Sequence, residues 1–196
     1  MALLARAVEV ARGVDDVEQL LVRIEQPWGG YQSAGDHLLS PLQFVDALVR
    51  CAPGLSGIAL EITSGFVPAD PGRRDLLDLS RLLDIWSTLG LPLYVTIAAP
   101  STGGQDAGGR FVRSAEVGDS ESPGSGEWTE SLQADWVDAV LPLLLAKQSV
   151  AGITWAHLDD RDPSGFPTSG LLDETGSPRP VVQTIHAHRF GHWPAN

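Results

Sequence analysis

An alternation of two periods constrains this chain more than any other feature. Four short apolar runs, "LLVRIEQ", "SGIALEIT", "LPLYVTIAAPS" and "VAGITWAHLDD", are set apart by stretches of helical spacing. Residues 2–13 read as a helix ended by Gly13. "SPLQFVDALVRCAPG" offers Ser40 as N-cap, Pro41 at the first helical position and a stop at Pro53-Gly54. "RDLLDLSRLLDIWSTLG" is closed by Gly90. "TESLQADWVDAVLPLLLAK" carries Pro142, where a kink or break is expected because proline cannot donate to the preceding turn. The tail "HAHRFGHWPAN" reads as a short closing helix and a loose end. Strand alternating with helix is the pattern of a parallel sheet covered by helices. The fold class that follows is α/β, of the (β/α)8 TIM-barrel type, with about four β/α units.

No linker or internal repeat divides the chain, so residues 1–196 read as one barrel segment. The Gly/Ser-rich stretch 101–127 reads as a long loop after the C-terminal end of a strand, where α/β enzymes carry functional loops. The formal net charge of −12 argues against nucleic acid and anionic membrane surfaces as partners, since both demand basic neutralisation. The start, "MALLARAVEVARGVDD", lacks the apolar core of a signal peptide. No run of about 18 apolar residues suggests a membrane span. Cys51 is the only cysteine, which excludes an intrachain disulfide; its helical setting reads as a small core residue.

Successive strand residues face opposite sides, so parity sorts them. Val22 and Ile24 share one face, and Arg23 and Glu25 the other. Ile58, Leu60 and Ile62 share a face, and Ala59, Glu61 and Thr63 the other. The apolar faces should meet the helices, which sends Arg23, Glu25 and Glu61 to the barrel interior or its mouth. Neighbouring strands lie about 4.8 Å apart. Glu25 and Glu61 therefore form a candidate catalytic pair, with carboxyls within the roughly 5–9.5 Å that glycosidases use. The alternative is that Arg23 neutralises one or both as a structural ion pair.

"IEQPWGGY" sets a carboxylate, an amide and aromatics where a strand gives way to a loop. Gln26 can donate and accept hydrogen bonds. Trp28 and Tyr31 offer flat faces to a sugar ring, or else pack the loop. Trp155, near a strand end, is a further candidate for the site, with His157 and Asp159 after it. Trp86 and Trp136 sit at helical spacing among leucines and read as core. His157, Asp159 and Asp160 lack a tight metal-ligand spacing, and His186, His188 and His192 read as solvent-facing. Gly103-Gly104 and Gly108-Gly109 are not followed by the Lys-Ser/Thr of a phosphate loop. Neither a metal nor a cofactor is called for.

The stretch "GITWAHLDDRDPSGFPTSGLLDETGSPRP" resembles the last strand and following loop of glycoside hydrolase family 10, the xylanase family. Thr154, Trp155, Asp159 or Asp160, Leu171-Leu172-Asp173 and Pro178-Arg179-Pro180 carry the resemblance. Upstream, "LGLPLYVT" resembles the seventh strand of that barrel, "GLSGIALEI" the sixth and "LLVRIEQPWGGY" the fifth. The resemblance implies the second half of an eight-stranded barrel, a gene fragment or late start, and Trp155 as a sugar-stacking platform. It also implies missing machinery. The family's nucleophilic glutamate ends the seventh strand, where this chain has Thr96-Ile97-Ala98-Ala99-Pro100-Ser101. A Gln/His pair ends the family's sixth strand, where this chain has Glu61. The family's acid/base glutamate lies on a fourth strand that this chain lacks.

The expected function is that of a glycoside-hydrolase-like protein acting on or binding β-linked, xylan-like polysaccharide, and inactive as this chain alone. Two alternatives stay open: a non-catalytic carbohydrate-binding relative, and a structural half-barrel that needs a partner chain. The expected partner is a carbohydrate, with self-association through open sheet edges.

Overall fold

The computed structural model describes residues 2–29, 39–51, 54–66, 75–103, 128–161 and 166–190. Among them, five helices alternate with four strands: α1 (Ala2–Val14), β1 (Leu21–Ile24), α2 (Pro41–Cys51), β2 (Gly57–Thr63), α3 (Leu76–Ser87), β3 (Leu93–Ala98), α4 (Glu130–Ala146), β4 (Val150–Trp155) and α5 (Pro180–Phe190). The strands form one sheet in the order β1-β2-β3-β4. β1 pairs with β2 in parallel, Leu21 opposite Gly57 and Ile24 opposite Leu60. Hydrogen bonds rise together along the next two pairs: Ile58 N to Pro92 O and Ser64 N to Ala98 O, then Leu93 N to Ser149 O and Ala156 N to Ile97 O. These are parallel registers. The α/β class and the four β/α units read from the sequence are the observed ones.

The chain divides into two compact units. The first holds α1, β1, α2 and α3 with β2 to Ile62, β3 to Thr96 and β4 to Thr154. Its core is apolar: Val45, Leu48, Ile58, Leu60, Leu83 and Leu93 are fully buried. Strand parity places Val22 in that core and leaves Arg23 exposed. Ser40 caps α2 as expected: its Oγ accepts from Gln43 N at 3.1 Å while Gln43 Oε1 accepts from Ser40 N at 2.9 Å, a reciprocal capping box. Asp75 N-caps α3, its side chain accepting from Asp78 N at 2.8 Å. Arg12 of α1 donates to Gly54 O, Ser56 Oγ and Glu18 O and so ties α1 to the segments flanking β1 and β2.

Tyr94 of β3 lies between two glycines of neighbouring strands. A Cβ at Gly57 would stand 2.8 Å from its ring, and one at Gly152 would stand 3.0 Å from it. The phenol oxygen lies 3.1 Å from Gln19 Oε1, the acceptor for its proton.

The second unit begins at Thr63, Ile97 and Trp155 of β2, β3 and β4 and includes α4 and α5. Val137, Leu144 and Val181 are fully buried in it. Thr129 caps α4, accepting from Leu132 N at 3.1 Å.

Several expectations are corrected. Cys51 is exposed rather than core, because the last residue of α2 turns its side chain outward; its thiol donates to Ala47 O at 2.9 Å. Trp86 is core at 1% exposure, but Trp136 is only half-buried. α4 runs through Pro142 without a break, anchored by buried Leu141 and Leu144 on either side. The closing helix starts at Pro180, well before the expected "HAHRF". Proline at a first helical position is the signal for it, since the missing N–H is one the helix does not use. His188 is mostly covered, its Nε2 set 2.8 Å from Asp138 Oδ1, and His186 is half-buried. Tyr31, His192 and nearly all of the stretch 101–127 lie outside the described residues.

Candidate functional site

In the first unit the loop after β1 turns at once. Gly29, at φ 70°, donates its N–H to Gln26 O at 3.1 Å, and Pro27 is buried. Trp86 of α3 donates its indole N–H to Pro27 O at 3.3 Å, so the core holds the loop from beneath. Glu25 and Gln26 are exposed and Trp28 is half-buried on that turn.

Glu61 is 8% exposed, and its Oε2 is bonded to Arg23, whose side chain is 61% exposed. Alternation on adjacent parallel strands produces the pairing, since Arg23 stands opposite Ala59 and Glu61 is the next residue on that face. The hydrogen bond with Glu61 raises the Arg23 pKa against partial burial, and the Glu25 charge adds to the effect. The structure thus brings Glu61 to Arg23 and sets Glu25 within electrostatic reach of the same guanidinium.

The second unit gathers Trp155, His157 and Asp159 with groups that the sequence reading passed over. Trp155 is half-buried and donates its indole N–H to Ser169 O at 2.7 Å. Ser169 is buried and donates to Phe166 O at 2.7 Å. Ser101 donates both its N–H and its hydroxyl to Thr168 O, each at 2.8 Å. Thr168 is held at φ 55°, which an L-residue with a branched Cβ seldom adopts. The loop 166–170 is therefore fastened from β4 and from the end of β3.

Asp159 turns its carboxylate to Arg161. The Arg161 side chain and then its backbone N–H hold Asp159 below the ordinary carboxylate range. The His157 ring lies tilted against that of Phe166, with 5.8 Å between centroids. Asp160 accepts from Gly170 N at 2.7 Å and is bonded to Arg179, which also donates to Glu130 Oε1 at 3.1 Å. Both partners of the Arg179–Asp160 pair are 9% exposed at the side chain. Burial opposes the Arg179 charge, but the hydrogen bonds with Asp160 and Glu130 outweigh it and raise the pKa. The Pro-Arg-Pro motif is thus a buried clamp between the starts of α4 and α5.

Asp173 closes the next turn, its Oδ1 accepting from Thr175 N, Thr175 Oγ1 and Ser177 N. The Thr175 hydroxyl first, then Ser177 N–H, lower its pKa below the ordinary 3.8. A depressed carboxylate stabilises the fold fully above its unfolded value and loses that contribution as pH falls through the folded one. Thermal melts between pH 7 and pH 2 should therefore show Asp173→Asn converging on wild type only at the acid end. A constant gap at every pH would remove the turn carboxylate as the cause.

Trp128 and Phe66 were not foreseen. Phe66 and Ala98 are buried, and Trp128, Ala156 and Phe166 pack against them. Glycine signals the site only in hindsight: Gly65 sits at φ 79°, and a Cβ there would lie 2.5 Å from the Trp128 Nε1. Among the described residues, no group of three or more His, Cys, Asp and Glu is arranged to hold a metal. No described helix is long and apolar enough to cross a membrane.

No family model and no curated protein matches this sequence. Solved structures do. Native xylanase 10B from Thermotoga maritima aligns over 93% of this chain with a TM-score of 0.62 and 15% identity. A β-D-glucuronidase from Dictyoglomus thermophilum aligns over 98% with a TM-score of 0.61 and 15% identity. A variant of P. fluorescens subsp. cellulosa xylanase A, solved with xylopentaose, aligns over 95% with a TM-score of 0.61 and 13% identity. The chain's four-stranded parallel α/β sheet has the fold of part of a TIM barrel such as the xylanases carry. It spans 50% and 54% of the two xylanases and 30% of the glucuronidase. At these identities the likeness is one of fold, and it agrees with the xylanase resemblance read from the sequence.

Proposed function

We propose that this chain is a glycoside-hydrolase-like protein that binds β-linked, xylan-like polysaccharide and does not turn it over by itself. Residues 1–196 act as one barrel segment in this reading. The observation that carries it is the pairing of Glu61 with Arg23. A glycosidase acid must arrive protonated, and its partner must be free to attack or to activate water. Glu61 is buried with one oxygen committed to an ion pair with Arg23, which leaves that oxygen unavailable to a ligand. At the end of β3, where the resemblance puts a nucleophile, Ile97, Ala98 and Ala99 are buried and apolar. The proposed ligand contacts are Glu25, Gln26 and Trp28 in the first unit and, separately, Trp155, His157 and Asp159 in the second; the candidate Tyr31 lies outside the described residues. Loss of a positioned general acid or base removes about 10²–10⁴-fold in rate, whereas binding through aromatics persists.

Reducing-sugar release from xylan should stay at the blank, while a calorimetric titration with xylohexaose shows weak binding that Trp155→Ala abolishes. Melting curves run beside it, because the Trp155 N–H also fastens the loop 166–170. Robust turnover lost in Glu61→Gln would falsify the inactive reading and make the Glu25–Glu61 pair catalytic.

One observation favours a second reading, that of a structural half-barrel. Among the described residues, β1 and β4 stand at the ends of the sheet with one hydrogen-bonded neighbour each. Unpaired strand edges recruit other strands. Sedimentation should show concentration-dependent self-association; a monodisperse monomer with a cooperative melt would count against it.

A further inference from the structure

We infer that Ser101 is a positioning residue for the proposed ligand contacts of the second unit. By holding the Thr168 carbonyl from the end of β3, it fixes the loop 166–170 against which Trp155 and His157 are set. The ligand side of this inference rests on the carbohydrate-binding reading, to which it adds a residue that acts through others. Ser101 is fully buried, and both of its donors, the backbone N–H and the hydroxyl, go to Thr168 O at 2.8 Å. The next carbonyl along, Ser169 O, accepts from the Trp155 indole N–H at 2.7 Å. Consecutive carbonyls thus serve the ends of two different strands. Thr168 takes a φ of 55° to present them. A residue with a branched Cβ leaves that region unless its surroundings hold it there, and the paired Ser101 donors supply such a hold.

The same loop sets the surroundings of His157. The Ser169 hydroxyl donates to Phe166 O at 2.7 Å. The Phe166 ring lies 5.8 Å from that of His157 and 5.1 Å from that of buried Phe66, between centroids. Leu171 donates its N–H to His157 O at 3.4 Å. A shift of the 168–169 peptide therefore moves the acceptor of Trp155 and the ring beside His157 together. The end of β3 is itself held from α4. Gln133 is fully buried and donates its side-chain amide to Ala99 O at 2.7 Å, two residues before Ser101. Among the described residues Gln133 Oε1 has no hydrogen-bond partner, so the bond to Ala99 O is what offsets burial of that side-chain amide. All of these groups belong to the second unit. Ser101, Gln133 and Ser169 are sealed from solvent, which suits them to orient half-buried Trp155 rather than to meet a ligand.

Hydrogen–deuterium exchange of the indole N–H groups, followed by NMR on the full chain, tests the hold. In Ser101→Ala the Trp155 indole should exchange about tenfold faster. The Trp86 indole, bonded to Pro27 O in the first unit, should exchange as in wild type. Adding Thr168→Asn should recover part of the loss, because asparagine accepts the left-handed conformation more readily than threonine. Calorimetric titration with xylohexaose should show affinity falling about tenfold in Ser101→Ala and partly regained in the double variant. Unchanged Trp155 exchange in Ser101→Ala would overturn the assignment. So would equal acceleration of Trp155 and Trp86, which signals general loosening rather than a lost hold. Faster Trp155 exchange with wild-type affinity would overturn the link to the ligand. Absence of xylohexaose binding by wild type would sink the carbohydrate reading, and the exchange rates would still decide whether Ser101 holds Trp155.

Discussion

Arg179→Met should lower stability by about 3–5 kcal/mol, the range for breaking a buried ion pair by removing one partner. The substitution keeps the apolar stem but strands the Asp160 carboxylate, which is 9% exposed, and leaves Gly170 O without the guanidinium 3.2 Å away. Glu130→Gln supplies the contrast. Its carboxylate is 46% exposed, and an exposed pair contributes about 0–1 kcal/mol. Urea denaturation should separate the two variants clearly, and Asp160→Asn combined with Arg179→Met should recover part of the loss. A cost for Arg179→Met as small as that of Glu130→Gln would mean that the loop does not depend on the clamp.

Trp86→Ala should cost a comparable amount, about 3–5 kcal/mol, because it empties the largest fully buried side chain of the first unit. Trp86→Phe separates packing from polarity. It fills most of the space but leaves Pro27 O without its donor, at a cost of about 1–3 kcal/mol. Trp86 supports the turn that carries Glu25, Gln26 and Trp28, so the phenylalanine variant should also weaken oligosaccharide binding. Denaturation midpoints give the first effect and calorimetric titration the second. Full-strength binding by Trp86→Phe would show that the turn stands without its support.

The parts of the fold that were legible in the sequence rest on short-range rules. Parity placed Val22 and Arg23 correctly because strand side chains alternate regardless of what lies further away. Ser40 and Pro41 marked the start of α2 because a cap is a local hydrogen-bond device. The misreadings involve partners distant in sequence. Nothing near Cys51 says which side of α2 it occupies, since its neighbour Leu48 is buried one turn back. Pro142 reads as a breaker until the buried leucines beside it are known to hold α4 together. Arg179 stood out as a motif, but its role depends on Asp160 and Glu130, 19 and 49 residues away. Trp128 follows directly on the Gly/Ser-rich stretch 101–127, and only its approach to Gly65 reveals its packing. At the candidate site, strand parity alone puts Arg23 and Glu61 on one face, so the sequence itself contains the ion-pair alternative.

The two glycines beside Tyr94 bear on how the sheet assembles. Sliding β2 by one side-chain repeat would bring Ala59 under the ring in place of Gly57. Sliding β4 would bring Val150 or Thr154 in place of Gly152. Each of these carries a Cβ where the ring already stands within 3.0 Å of any such atom. Apolar patterning alone tolerates a two-residue slip, because it keeps the same faces buried. Tyr94 therefore acts as a register gauge, rejecting misaligned strands during folding that hydrophobic burial would accept.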